Sequence, residues 1–204
     1  HAHGIKNVRV LDRTFNYNNK RAKELLDLFR QYPDICFHLE IHPALLSEEL
    51  KQELSVLPKG LLHLEAGIQS LKESVLQQSR RIGKLSDALE GLKYLCSLKN
   101  METHADLIAG LPLYHLSEIF EDVRTLAEYG AGEIQLESLK LLPGTEMRRR
   151  AEELGIQYSP LPPYEVLQTR EISIDELQTA HYLSRLLPGK IGRAVQQECR
   201  DRTR

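Results

Sequence analysis

Side chains that can carry, donate or accept a proton recur at every second position of five short segments. The segments are Asn7–Arg13, Ile35–His42, Leu61–Gly67, Glu102–Ile108 and Glu133–Leu139. Successive residues of a β-strand point to opposite faces, so this spacing places the polar side chains on one face of each strand. The polar set is Arg9, Arg13, His38, Glu40, His42, His63, Glu65, His104, Asp106, Gln135 and Glu137. Burying such groups is costly unless they are paired, hydrated or bound to a ligand. The pattern therefore predicts a polar cavity that serves as a functional site.

Helical segments alternate with these strands, which predicts an α/β fold. The predicted helices cover 19–32, 47–54, 71–78, 86–98, 117–129 and 145–154. Repeated strand–helix units form parallel strands with right-handed crossovers. Five such units with one polar face predict a partial (β/α) TIM-like barrel, because a complete barrel takes about 250 residues. We assign 1–156 to this core, 157–187 to a C-terminal extension with helices at 164–169 and 173–187, and 188–204 to a mobile tail.

Composition narrows the class of protein. The 204 residues include 27 Lys and Arg and 29 Asp and Glu, for a net charge of −2, which gives no electrostatic case for nucleic acid. No apolar run approaches the roughly 20 residues of a membrane span. The three cysteines, at 36, 96 and 199, fit neither a zinc site nor a disulfide framework. His38 and His42 lie four positions apart on a strand, about 13 Å, which is too far for one metal ion. We expect a cytoplasmic protein without a metal site of this kind.

Four motifs in a fixed order carry a resemblance to a known family. They are Glu-Ala-Gly-Ile-Gln-Ser at 65–70, Val75-Leu76 followed by Arg80-Arg81, Asp-Leu-Ile-Ala-Gly-Leu-Pro at 106–112, and Leu-Pro-Gly-Thr at 142–145. Their order and spacing resemble the radical S-adenosylmethionine (SAM) superfamily, in particular oxygen-independent coproporphyrinogen oxidases and methylthiotransferases. The segments 11–16 and 168–173 further resemble bacterial radical SAM proteins with an upstream cobalamin-binding domain. The resemblance covers about residues 5–185.

The resemblance implies an enzyme that cleaves SAM to a 5′-deoxyadenosyl radical. A [4Fe-4S] cluster, held by three cysteines in Cys-x3-Cys-x2-Cys, supplies the electron, and the protein orients the cofactor. This motif is absent from the sequence. We therefore expect a core fragment that lacks the first strand and its cluster-binding cysteines and is inactive by itself. The parent enzyme would act on an organic substrate, with cobalamin as a further cofactor where an upstream domain binds it.

The resemblance also implies site residues. Those for the cofactor are Glu40, Gln69, Ser70, Arg81, Asp106 and Ile108. Glu40 would face the SAM amino group, Arg81 the carboxylate, and Asp106 the ribose. Arg80 replaces the usual glycine of the family, which leaves the choice between the two arginines open. The expected lining of the substrate cavity consists of Arg13, His38, His63, Glu65, His104, Gln135 and Glu137.

Other interpretations of these residues remain open. Glu40 and Glu65 could form structural ion pairs with a histidine or with Arg13, and Gln69-Ser70 could cap the following helix. The whole chain could be a cluster-independent barrel enzyme for a phosphorylated or sugar substrate, or a non-catalytic interaction module. A missing first strand would leave an open sheet edge. We expect that edge to be covered by the tail or by self-association.

Overall fold

The computed structural model describes residues 4–187 and places five strands in one sheet, in the order β1-β2-β3-β4-β5. They are β1 Asn7–Arg9, β2 Cys36–Ile41, β3 Leu62–Gln69, β4 Glu102–Ala109 and β5 Glu133–Ser138. The intervening helices are α1 Asn19–Phe29, α2 Glu48–Ser55, α3 Glu73–Gln78, α4 Leu85–Ser97 and α5 Leu116–Glu128. At least one helix separates each strand from the next, and the strands are parallel. The predicted α/β class, with the strand order of a partial (β/α) barrel, is confirmed.

The contacts divide the chain into two compact units. Over the described residues, unit 1 consists of 4–68, 83–105 and 129–132. Unit 2 consists of 69–82, 106–128 and 133–187. The boundary at residue 156 stays a prediction, and the predicted tail at 188–204 lies outside the described residues.

The alternation of polar and apolar residues survives in the strands. In β2, Phe37, Leu39 and Ile41 are buried, whereas His38 and Glu40 between them are half-buried. Strand β1 is shorter than predicted because the chain turns after Arg9 into a 3-10 turn at Phe15–Tyr17, whose Phe15 and Asn16 are buried. Arg13 therefore lies beyond the strand and is exposed.

Unit 1 builds its core from side chains of α1, α2 and α4 against the apolar face of the strands. Helix α1 begins at Asn18, whose side chain accepts a hydrogen bond from the Arg21 amide. Its last residue, Phe29, stacks on Phe37 of β2 with ring centroids 4.0 Å apart. Helix α2 begins at Ser47, as predicted, with the Ser47 hydroxyl accepting from the Leu50 amide.

Two close contacts fix the segment that follows β2. The buried Asn16 side chain donates to the His42 carbonyl and accepts from the His42 amide, both at 2.9 Å. Helix α4 crosses the 3-10 turn Pro43–Leu45 at Gly91, where a Cβ atom would stand 2.1 Å from the Pro43 carbonyl oxygen. Only glycine permits this approach of a helix to backbone.

Unit 2 ends in a small layer of its own. It contains α6 Glu146–Arg149, the antiparallel strands β6 Gln157–Tyr158 and β7 Val166–Gln168, and α7 Ile174–Leu186. The predicted helix at 164–169 is wrong, because this stretch forms β7. Tyr164 has a left-handed backbone (φ 63°), which interrupts a helix, and the β-branched Val166 is buried beside Leu141 and Ile156. The predicted last helix is confirmed as α7, which begins with a capping box at Ser173.

Candidate functional site

A row of three imidazoles lies on the polar face of unit 1. His38 of β2 stands opposite His63 of β3 in the strand register, and their rings stack with centroids 4.6 Å apart. The ring of His104, from β4, meets His63 edge-on at 4.0 Å. The two-residue alternation of the strands brings these three predicted cavity residues together.

All three imidazoles are held in the neutral form. Burial, followed by the charges that His104, His38 and Arg9 would present, lowers the pKa of His63 to about 3. Burial lowers the pKa of His104 to about 4, and burial together with Arg9 lowers that of His38. A neutral imidazole has one N–H donor and one acceptor nitrogen. The row is therefore suited to a ligand that offers neutral hydrogen-bonding groups or a flat apolar surface.

An arginine stands next to this row and bridges two carboxylates. The Arg9 guanidinium contacts Glu65 at 2.7 Å and Glu40 at 3.7 Å. The open interpretation of Glu40 and Glu65 as ion-paired residues named a histidine or Arg13 as the partner; the structure has Arg9 in that place. Because 60% of the Arg9 side chain is exposed, such pairs add little to stability. Both carboxylates thus stay on the polar face with a cation that a charged ligand can displace.

The turn that follows β3 belongs to unit 2 and contains two of the predicted cofactor residues, Gln69 and Ser70. Gln69 has a left-handed backbone (φ 70°), an arrangement that costs energy for a residue other than glycine. Ser70 is fully buried, and its hydroxyl donates to Asp122 of α5 at 3.1 Å while accepting from the Lys72 amide at 3.1 Å. Asp122 also accepts from the Leu71 amide at 2.7 Å. The Ser70 side chain is therefore engaged within the protein, and its predicted cofactor contact stays a prediction.

The two arginines left open by the sequence differ in their surroundings. Arg81 is half-buried; burial lowers its pKa, and the carboxylate of Asp106 on β4 opposes this effect. Arg80 is exposed and pairs with Glu146 at 2.6 Å. Only Arg81 has its charge partly withdrawn from water next to a strand carboxylate. It is the stronger candidate for an anionic ligand group.

The remaining predicted residues of unit 2 lie on β4 and β5. Ile108 is half-buried and shares a face of β4 with Asp106, two residues before it. Gln135 is half-buried on β5, whereas Glu137 is exposed and pairs with Lys140 at 3.6 Å. These positions agree with the predicted alternation, and the assignment of the side chains to a cofactor or substrate stays a prediction.

Among the described residues, Cys36 and Cys96 are free thiols. Burial raises the pKa of Cys96 to about 11. Between residues 4 and 187, no group of three His, Cys, Asp or Glu side chains is arranged to hold a metal ion. In the same range, no helix has the length and apolar character needed to cross a membrane.

Sequence reasoning missed one buried network in unit 2. Asp122 is 2% exposed, and Tyr114, fully buried, donates its hydroxyl to Asp122 at 2.6 Å. The signal was present in helix α5, where Asp122 falls on the apolar stripe between Ile119 and Leu126. A carboxylate on such a stripe needs buried hydrogen-bond donors.

Solved structures share this fold. No protein-family model matches the sequence, and no curated protein sequence does. The radical SAM methyltransferase TsrM from Kitasatospora setae, with cobalamin and a [4Fe-4S] cluster bound, has a TM-score of 0.64 and 19% identity over 86% of this chain and 37% of TsrM. TsrM with tryptophan substrate and a SAM analogue gives a TM-score of 0.63 and 18% identity over 82% of this chain and 35% of TsrM.

A second solved enzyme is also similar to this chain in fold. Coproporphyrinogen III oxidase (HemN) from Escherichia coli, a radical SAM enzyme, has a TM-score of 0.57 and 18% identity over 82% of this chain and 37% of HemN. This chain thus spans a little over a third of the length of these structures. At this level of identity the likeness concerns the fold: the chain has the α/β fold of the radical SAM enzymes.

Proposed function

We propose that this chain is the SAM-binding core of a radical SAM enzyme. The observation that carries the proposal is the half-buried Arg81 acting with Asp106, on a fold shared with enzymes that bind SAM or its analogue. The guanidinium would take the carboxylate of SAM, because arginine binds carboxylates through paired, charge-assisted hydrogen bonds. The Asp106 carboxylate would accept hydrogen bonds from the ribose hydroxyls.

The other residues of the predicted set complete this assignment. Ile108 offers an apolar side chain for adenine, two residues after Asp106 on the same face of β4. Gln69 offers an amide at the left-handed turn after β3. The resemblance also assigns Glu40 of β2 to the SAM amino group, and that role stays a prediction. The imidazole row of unit 1 is the proposed contact for an organic substrate, and its neutral state favours a substrate with neutral polar groups.

SAM cleavage needs an electron from a cluster, and we propose that this chain does not supply the cluster ligands. The sequence has no Cys-x3-Cys-x2-Cys, so a cluster in the parent protein would take its ligands from outside these 204 residues. Bound to that cluster, SAM would supply the 5′-deoxyadenosyl radical. The role proposed for this chain is to bind and orient the amino-acid and ribose parts of SAM. Cobalamin, which TsrM binds, is proposed only as a cofactor of the parent protein.

Titration calorimetry with SAM tests the proposal. We expect Arg81→Gln to weaken SAM binding about tenfold, the loss of one charge-assisted contact of about 1.4 kcal/mol. Arg80→Gln is the matched control, because Arg80 lies next in the chain but pairs with Glu146, and its affinity should stay within about twofold. Absence of SAM binding by the unmodified chain, or equal losses in both variants, contradicts the proposal.

Titration calorimetry also tests the alternative function, a cluster-independent barrel enzyme for a phosphorylated or sugar substrate. Titration with ribose 5-phosphate should produce no heat if the site is built for SAM. Binding of the sugar phosphate without binding of SAM would favour a cluster-independent enzyme for phosphorylated substrates. A chain that binds neither ligand would favour the interaction module.

We also propose a cytoplasmic location and self-association through β1. Cys36 and Cys96 are free thiols, which fits a reducing compartment. Strand β1 stands at one end of the sheet order, and an edge strand offers unpaired backbone groups to a second chain. Sedimentation velocity over a range of concentrations should show a dimer. A monomer at every concentration contradicts self-association.

A further inference from the structure

A buried carboxylate in helix α5 joins two segments of unit 2. One Asp122 oxygen, Oδ2, accepts hydrogen bonds from the Ser70 hydroxyl at 3.1 Å, the Leu71 amide at 2.7 Å and the Tyr114 hydroxyl at 2.6 Å. Lys72 Nζ lies 3.8 Å from the other oxygen, Oδ1. The donors come from the turn that follows β3 and from the segment between β4 and α5. Asp122 therefore fixes the chain just after the carboxyl ends of two strands.

The electrostatics show how tightly this network depends on its donors. Burial raises the pKa of Asp122, and hydrogen bonds from Tyr114, Leu71 and Ser70 act in the opposite direction, together with the charge of Lys72. Burial and the neighbouring Asp122 raise the pKa of Tyr114, which keeps its hydroxyl proton in place for donation. A buried carboxylate that lost these donors would be left uncompensated. The donor segments and the carboxylate thus hold one another in a single arrangement.

The arrangement decides which side chain of the turn is available to a ligand. Gln69 follows Glu65 and Gly67 on the half-buried face of β3, whereas Ser70 is fully buried with its hydroxyl used by Asp122 and the Lys72 amide. The left-handed backbone of Gln69 is strained by itself and needs its surroundings to hold it. The next two residues, Ser70 and Leu71, donate two of the three hydrogen bonds that Asp122 accepts.

We propose that Asp122 is a positioning residue that holds the 69–72 turn, so that Gln69, and not the Ser70 hydroxyl, is the group this turn presents to a ligand. That the ligand is SAM rests on the proposed function; the positioning itself does not. Tyr114 interacts with both Asp122 and the Ser70 side chain, so a change at Tyr114 should loosen the same turn.

Hydrogen exchange of single amides tests the positioning without any ligand. In Asp122→Asn we expect the Leu71 amide to lose protection at least about tenfold more than the Leu64 amide in the middle of β3. Tyr114→Phe, a milder change, should shift the same ratio in the same direction by a smaller factor. Glu121→Gln is the matched control, since Glu121 is the exposed neighbour that pairs with the Lys72 side chain at 2.6 Å, and it should leave the ratio unchanged.

The outcomes separate this inference from the proposed function. If Asp122→Asn and Tyr114→Phe lower the protection of Leu71 and Leu64 by the same factor, Asp122 serves only general stability and the inference is wrong. If the ratio shifts while the unmodified chain fails to bind SAM, the positioning stands and the proposed ligand is wrong. Where SAM binds, Gln69→Ala should weaken it at least about fivefold and Ser70→Ala less than Gln69→Ala. The reverse order overturns the assignment of Gln69.

Discussion

Acid should destabilise this protein well before its carboxylates titrate, because its imidazole row is buried in the neutral form. The pKa of His63 falls from 6.5 to about 3 on folding, chiefly through burial. As the pH falls below 6.5, the unfolded chain takes up a proton that folded His63 does not accept. The stability that His63 contributes is therefore fully present above pH 6.5 and is lost progressively as the pH falls below it.

The size of the effect follows from the unfolded pKa. Between about pH 7.5 and pH 5, His63 should lower the free energy of unfolding by about 2 kcal/mol. This figure hardly depends on the folded pKa as long as that pKa stays well below 5. His104, whose pKa is about 4, is less buried, so we halve its contribution to about 1 kcal/mol to allow for solvent screening. The sum of about 3 kcal/mol is a large part of the 5–15 kcal/mol typical of a folded domain.

Urea unfolding followed by circular dichroism at the two pH values measures this difference. His63→Phe keeps an aromatic ring in the row but cannot be protonated, so the pH-dependent loss should shrink by about 2 kcal/mol. His181→Phe, at an exposed position of α7, is the control and should keep the loss found in the unmodified protein. An unchanged loss in His63→Phe would refute the account, because it would mean that folded His63 accepts a proton as readily as the unfolded chain.

Three substitutions test the fold by the same urea measurement. Gly91→Ala gains about 1 kcal/mol of helix propensity but drives a methyl group against the Pro43 carbonyl, so we expect a net loss of about 2 kcal/mol; a gain would show that α4 can shift. Asn16→Ala removes the hydrogen bonds of this side chain to the His42 amide and carbonyl, of which the carbonyl keeps the bond from the Leu45 amide, and should cost about 2 kcal/mol; no loss would show that these bonds add nothing to stability. Ser173→Ala removes the cap of α7 and should cost about 1 kcal/mol; no loss would mean that this cap adds nothing to global stability.

The strand positions and the polar face could be predicted because both are local properties of the sequence. Alternation with a period of two placed His38, His63 and His104 on one face, and in the structure His63 contacts the rings of the other two. Cap residues such as Ser47 and Ser173 similarly marked the starts of helices through hydrogen bonds within a few residues.

The wrong predictions concern segments whose conformation depends on residues far away in the sequence. The stretch 164–169 has no strong local preference, and it became β7 because Gln157–Tyr158 pairs with it and a small apolar cluster buries Val166. Arg13 lies outside strand β1, because the chain turns after Arg9 to bury Phe15 and Asn16. Neither event could be predicted from the residues of the segment alone.

The sequence alone determined the α/β order of elements, the polar face and the histidine content of that face, since each depends on neighbours one to four residues apart. The tertiary structure decided which charged groups meet. Arg9 pairs with Glu65, 56 residues away, and Asp122 accepts from Ser70, 52 residues away. It also separated Arg81, half-buried beside Asp106, from the exposed Arg80. Burial and long-range pairing set the electrostatics of a site, and both exist only once the chain has folded.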